Sequence, residues 1–263
     1  MARPRLCFTL LYANGVFNLS RNFNLQAVGN LDWILENYEF ESMARSIDEL
    51  IVLNVDREHR DWSQFVVTVQ ALVRHCFMPV AVGGGIRSFE QARQLFENGA
   101  DKLVLNSAFF SSPPLVRELV FSHGSQSIVA SLDFVRGDDG EARVLTECGA
   151  KYSGLGLSEA VTSVSKLGAG EIYLTSIDRD GTGMGYDLQA LEAAYRSCDL
   201  PIIASGGADT GSQLAEGIRS GFASGAATSH LFNFMCDGLE DARREMIAEG
   251  IDLSRWDFEG ILS

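Results

Sequence analysis

The chain has 263 residues, 46% hydrophobic and 21% charged, the balance of a soluble globular protein with room for one large domain or two small ones. A formal net charge of −14 argues against nucleic acid or an anionic membrane surface as partner. No run of roughly 18 apolar residues is present to span a bilayer, and "MARPRLCFTLLY" holds too short an apolar run for a signal peptide.

In chain order, "RLCFTLLYANGVFNLSR" carries no charge between Arg5 and Arg21 and reads as a strand, a turn at Asn14-Gly15 and a second short strand. Counting that first strand as 6–12, the predicted alternation is helix 31–45, strand 48–54, helix 61–75, strand 79–83, helix 88–98, strand 102–106, helix 113–122 and strand 127–133. An added hairpin over 136–154, with its core at about 138–150, precedes helix 157–167. Strand 170–176, helix 187–197, strand 200–204, helix 211–220, strand 224–228 and helix 238–248 complete the series. Eight strand-helix units predict an α/β fold, a closed (β/α)8 barrel in a single domain over 1–263, with an open doubly wound sheet as the competing arrangement. Cys7, Cys76, Cys148, Cys198 and Cys236 are odd in number and widely spaced. They are expected to be reduced, mostly buried thiols of a cytoplasmic protein. His75 and Cys76 are adjacent and point apart on a helix, so no metal and no cofactor is expected.

The chain repeats itself. "PVAVGGGIRSFEQARQLFENGADKLVLNSAFF" starts at Pro79 and "PIIASGGADTGSQLAEGIRSGFASGAATSHLF" at Pro201, an offset of 122 that still aligns Phe110 with Phe232. "ELIVLNVDR" and "EIYLTSIDR" share it. Half-barrels of roughly 1–122 and 123–250 are therefore expected. Loops at strand ends should carry the chemistry. Gly83, Gly84, Gly85, Asn106 and Ser107 form one candidate phosphate cradle. Gly181, Ser205, Gly206, Gly207, Thr228 and Ser229 form another, with Asp180 beside it and His230 able to help or crowd it. Two cradles across one mouth suit a sugar with a phosphate at each end. The second cradle is expected to be the better binder. Glycine at tight strand-helix turns is also the plain structural expectation.

Asp133 ends the strand of "IVASLDFVRG"; subtracting 122 gives Leu11, so a carboxylate in one half answers leucine in the other. Proton-transfer chemistry commonly uses a pair, and Asp180 is the other carboxylate within range. Asp133 could equally cap or salt-bridge a strand end. Arg5, Glu49, Lys102 and Glu171 begin the first, second, fourth and sixth strands, a neutral set that is structural on its simplest reading.

"DELIVL", "VGGGIRS", "GADKLVLNSA", "GSQSIVASLD", "GAGEIYLTSIDRDGTGMGYD" and "PIIASGGA" span nearly the whole chain. Through them it resembles the cyclase subunit of imidazole glycerol phosphate synthase. The resemblance implies a two-half barrel with two phosphate sites, ammonia delivered at the bottom by a glutaminase partner, and an aspartate pair at the top that closes an imidazole ring. It implies that Arg5, Glu49, Lys102 and Glu171 gate the ammonia, that Asp101 meets the glutaminase, and that Asp133 is the second catalytic aspartate. Val80, Val104, Leu174 and Ile203 would line a dry channel. Leu11 and Asn54 stand where the family has aspartates and Leu19 where it has lysine. Leucine at position 11, with "CFMPVAVGGGI" and "HGSQSIVASLD", resembles a divergent branch linked to amidation of surface-polysaccharide sugars, working with a separate ATP-dependent amidotransferase. The expectation is an ammonia-conducting partner subunit whose ligand is a phosphorylated sugar or phosphate. A histidine-pathway cyclase with a relocated acid, and another phosphosugar isomerase or assembly factor, are the alternatives.

Overall fold

The computed structural model describes residues 3–254, apart from Glu39, His59, Leu231, Phe232 and Phe234. Leu231, in the predicted second cradle loop, and Phe232, in the repeat comparison, therefore lie outside the described residues. β1 (Arg5–Ala13) turns at Asn14-Gly15 into β2 (Val16–Arg21), which turns again into β3 (Asn24–Gly29). Then follow α1 (Leu31–Asn37), α2 (Phe40–Met43), β4 (Glu49–Asn54), α3 (Trp62–Val73), β5 (Val80–Gly83), α4 (Phe89–Glu97), β6 (Lys102–Leu105), α5 (Ala108–Ser111), α6 (Pro113–His123) and β7 (Ile128–Arg136). A second hairpin, β8 (Ala142–Thr146) and β9 (Lys151–Gly156), precedes α7 (Leu157–Lys166) and β10 (Glu171–Ser176). The chain continues through α8 (Leu188–Tyr195), β11 (Ile202–Ser205), α9 (Gly211–Arg219), β12 (Gly225–Thr228) and α10 (Gly238–Ala248).

β1, β4, β5, β6, β7, β10, β11 and β12 pair in parallel in that order, and β12 returns to β1. The predicted (β/α)8 barrel is therefore the fold, and the open sheet is excluded by the β12–β1 pairing. β2 and β3 extend β1 antiparallel, as β8 and β9 extend β7. The sequence reading missed β3, whose residues are largely exposed and carry no alternating apolar face. The added hairpin after β7 ends at Gly156, a few residues beyond its expected core, because β9 pairs back along β8.

The predicted helix 31–45 is broken. Asn30 caps α1 through Trp33 N at 3.0 Å, but Tyr38 is extended, with φ −127° and ψ 122°. Its buried ring packs on Phe8, Trp33 and Phe40. Aromatic burial there outweighs continuation of the helix, and no glycine or proline in the sequence announces the break. Four later helices start on sequence-legible caps: Asp61 on Gln64 N, Ser88 on Gln91 N, Asp187 on Ala190 N and Thr210 on Gln213 N.

Strand alternation sorts the interior into layers. Cys7, Ile51, Ala81, Val104, Val129, Tyr173, Ile203 and Ala227 form one cluster inside the barrel, each at most 3% exposed. Val104 and Ile203 are thus interior as expected. Val80 and Leu174 are not: they belong to the larger core beneath the helices. They sit one residue out of phase with Lys102, Val104 and Tyr173, so parity sends them outward. Among the described residues these side chains form a packed layer across the interior. Within it, Tyr173 Oη meets Thr9 Oγ1 at 3.0 Å and accepts from Ser205 Oγ at 2.8 Å. Tyr173→Phe should cost about 1–3 kcal/mol, because the buried Thr9 hydroxyl and the half-buried Ser205 hydroxyl lose their shared partner. A lowered urea midpoint with an unchanged slope checks this, and an unchanged midpoint contradicts it.

All five cysteines are free, but only Cys7 is fully buried, while Cys236 is exposed. The expectation of mostly buried thiols is corrected accordingly. Among the described residues no helix is long and apolar enough to cross a membrane.

Candidate active site

The two ends of the barrel differ in chemistry. At the strand starts Arg5 Nη1 donates to Glu49 at 2.5 Å, and Arg5 Nη2 pairs with Glu171. Lys102 Nζ lies 2.9 Å from Glu49 and 3.0 Å from Glu171. The four predicted residues thus close an alternating ring, each cation touching both carboxylates. Burial pushes the Glu49 carboxyl up, opposed by Lys102 and Arg5. Burial also works against the Lys102 ammonium, but Glu49 and Glu171 outweigh it and hold its pKa above the ordinary lysine value. Asp101 is exposed nearby, and its Oδ2 accepts from Val80 N at 2.8 Å, which pins the start of β5.

At the strand ends lies a cavity of about 570 Å³ lined by Leu11, Leu53, Asp133, Tyr173, Asp180 and residues of both hairpins. Each hairpin is fastened to loops at this end of the barrel. Asn22 Nδ2 donates to Ile177 O and Asp178 O, at 3.0 and 2.9 Å, while Phe23 N donates to Asp180 Oδ2 at 3.0 Å. From the other side, Glu147 N donates to Ser107 Oγ at 3.1 Å.

Asp133 faces this cavity from the end of β7. Its Oδ2 accepts from Asn106 Nδ2 at 3.0 Å and its Oδ1 lies 3.4 Å from Ser131 Oγ. Burial pushes its carboxyl up to about 7, the Ser131 hydroxyl opposes the rise and Asp180 adds to it. A carboxyl near neutrality suits proton transfer at working pH. Leu11 lines the same cavity, so the pairing of one carboxylate with one leucine holds in three dimensions.

Two comparisons with known proteins bear on this site. Residues 29–235 match the family described as "Histidine biosynthesis protein". A protein of Parasynechococcus marenigrum (strain WH8102), described as "Putative imidazole glycerol phosphate synthase subunit hisF2", is 40% identical over 257 residues, 97% of this chain and 95% of that protein. The chain belongs to the histidine biosynthesis protein family.

Within this family member the two predicted cradles are not equivalent. Gly84, Gly85, Asn106 and Ser107 all line the cavity. Gly84 and Gly85 have φ of 97° and 78°, and a Cβ on Gly84 would strike the Asn54 carbonyl, so the turn is closed to larger residues. Asn106 gives its amide to Asp133 and Ser131 O, which makes it a carboxylate partner as well as a cradle residue. Of the second set, Ser205 and Ser229 reach the cavity, but Gly181, Gly206, Gly207 and Thr228 are not among its lining residues. Gly181 packs against Ser20 and Arg21, and Gly206 against Ser176. Thr228 Oγ1 donates to Ala208 O at 3.1 Å, and His230 Nδ1 accepts from Asn233 N. Asp180 lines the cavity, yet its carboxylate takes Ser20 Oγ at 2.5 Å and its amide donates to Ser176 O. It fastens the first hairpin and has no donor left for an anion. The cavity thus opens mainly on the first cradle, with Ser205 and Ser229 of the second at its edge.

Leu19 packs against the outer core and is not among the cavity's lining residues. Asn54 is buried, its Oδ1 accepts from Asp56 N at 3.1 Å, and its Nδ2 has no partner. The sequence reading missed Arg57, Arg60 and Arg87, which line the cavity on the side of the first cradle. For Arg57 a signal was present: "DRE" at 56–58 stands at the offset of 122 from "DRD" at 178–180.

Asp133 gives a pH-dependent prediction. Its folded pKa of about 7 lies above the ordinary 3.8, so the folded state holds its proton longer than the unfolded state. The penalty vanishes well below pH 3.8, where both states are protonated. The penalty grows as pH rises to 7 and is constant above that. Asp133→Asn should therefore lie close to the wild type near pH 4 and be about 2–4 kcal/mol more stable at pH 8. Denaturant unfolding at the two pH values tests it, and equal stability at both would contradict the burial argument.

Proposed function

We propose that this family member is an ammonia-receiving synthase subunit. In this reading a glutaminase docks at the strand-start face, near Asp101. Arg5, Glu49, Lys102 and Glu171 admit ammonia, and the barrel passes it to the mouth for amidation of a sugar in surface-polysaccharide biosynthesis. A separate ATP-dependent amidotransferase would complete the reaction, and the protein would act in the cytoplasm. The observation that carries the reading is the contrast between the two ends. The ring below is complete, with every carboxylate contacting both cations. The site above has Leu11 where a second carboxylate would complement Asp133. The polar Thr9–Tyr173–Ser205 step lies between them. Because the interior is packed, passage would need the ring and Tyr173 to move; ammonia is small and neutral, and ions would be excluded by desolvation.

The test is transfer of label from [amide-15N]glutamine to product in the reconstituted complex, with Lys102 intact and replaced. Unchanged transfer through a ring variant would sink the conduit. A second reading, the cyclase of histidine biosynthesis, is favoured by one observation: Asp133, with its raised pKa, shares the cavity with a second carboxylate, Asp180.

A further inference from the structure

The cavity holds a set of cations that neither candidate cradle called for. Arg57, Arg60 and Arg87 line one wall in a chain of net charge −14. The carboxylates of the same cavity are committed elsewhere: Asp133 to Asn106, Asp180 to Ser20 and Phe23 N, and Glu147 to Lys151 at 3.5 Å. Among the described residues, Arg57 and Arg60 have only neutral acceptors. Arg57 Nη2 donates to Phe23 O at 2.7 Å and to Cys148 O at 3.1 Å, while Arg60 Nη2 reaches Cys148 Sγ at 3.5 Å. Both guanidiniums are thus gathered at one residue, the tip of the β8–β9 hairpin. Arg60 Nε is buried and has no acceptor. The Arg60 side chain also lies against Gly85: a Cβ there would sit 2.6 Å from Arg60 Cδ and 2.9 Å from Nε and Nη1. Guanidinium and glycine turn are therefore neighbours.

Two like charges brought together with a buried unpaired donor call for an anion. Each guanidinium presents five donors in a planar fork suited to phosphate or carboxylate oxygens. Together with the turn at Gly84-Gly85 they exceed what one phosphate needs. We propose that Arg57 and Arg60 form a subsite for a second anionic group adjacent to the one at the glycine turn, so that the cavity takes a ligand with a diphosphate head, such as a sugar diphosphate. This deepens the reading above and rests on it only in treating the mouth as a ligand site.

The probes are inorganic phosphate and inorganic pyrophosphate, titrated calorimetrically into the isolated chain at constant ionic strength. The wild type should bind pyrophosphate about 10- to 100-fold more tightly than phosphate, the span expected for hydrogen bonds between charged groups. Arg60→Gln should remove most of that preference, weakening pyrophosphate more than phosphate. Arg57→Gln, at an exposed side chain bonded only to backbone carbonyls, should lower the preference as well and covers the case in which Arg60→Gln does not fold. Equal affinity for the two probes, no heat from either at millimolar concentration, or a preference that survives both substitutions would overturn the proposal. No ammonia source or partner is present in these titrations. A protein that prefers pyrophosphate but transfers no nitrogen keeps the subsite and loses the conduit, and the converse result does the reverse.

Discussion

Lys102→Ala should leave the barrel folded but about 3 kcal/mol less stable, and should uncouple glutamine hydrolysis from nitrogen transfer. Lys102 Nζ is the bridge between Glu49 and Glu171 opposite Arg5. Without it two carboxylates, 2% and 6% exposed, share a single guanidinium. Breaking a buried ion pair by removing one partner costs about 3–5 kcal/mol. The lower end applies here because Lys102 is 20% exposed and water can partly replace it. A double variant, Lys102→Met with Glu171→Gln, keeps the ring neutral and should recover much of the stability. If the ring gates ammonia, stability and function separate in this pair: the double variant is folded and still transfers little label from glutamine. If it is only structural, transfer recovers along with stability. Unfolding, complex formation with the glutaminase and 15N transfer, measured on both variants, decide between these outcomes.

Supplied with ammonium and the cyclase substrate, the wild-type chain should close the imidazole ring about 10²–10⁴-fold more slowly than a site with a full acid/base pair. Asp133 is poised by burial near pH 7, and its hydrogen-bond partners are Asn106 and Ser131, neither of which is an acid. Asp180 shares the cavity but holds the first hairpin through Ser20 and Phe23 N. To act as the missing acid it would have to release that contact. Leu11→Asp places a carboxylate on the cavity wall beside Leu53, its partner in the β1–β4 register. Rescue should be incomplete, because Leu19 and Asn54 remain uncharged. Wild-type turnover of about 1–10 per second or more, an ordinary enzymatic rate, would refute the prediction and return Asp180 to consideration as the relocated acid. Asp180→Asn would then abolish that activity.

The sequence by itself determined the barrel and the disposition of its two ends. Alternating strands and helices have local periods, so their patterns survive without knowledge of the fold. The strand bounds place Arg5, Glu49, Lys102 and Glu171 at strand starts and Leu11 and Asp133 toward the other end, and the period of two decides which face each points to. Applied strictly, it would also have turned Val80 and Leu174 outward. Only the tertiary structure decided which of these groups touch. The ring joins residues up to 166 positions apart, and its alternation of sign follows from strand order around a closed barrel. The break at Tyr38 depends on what its ring packs against, which no local signal records. The mouth was least legible. Arg57 meets Cys148 across 91 residues because two hairpins fold over one barrel end. Their reach is set by twist and curvature accumulated over the closed sheet, a property that no short stretch of chain encodes.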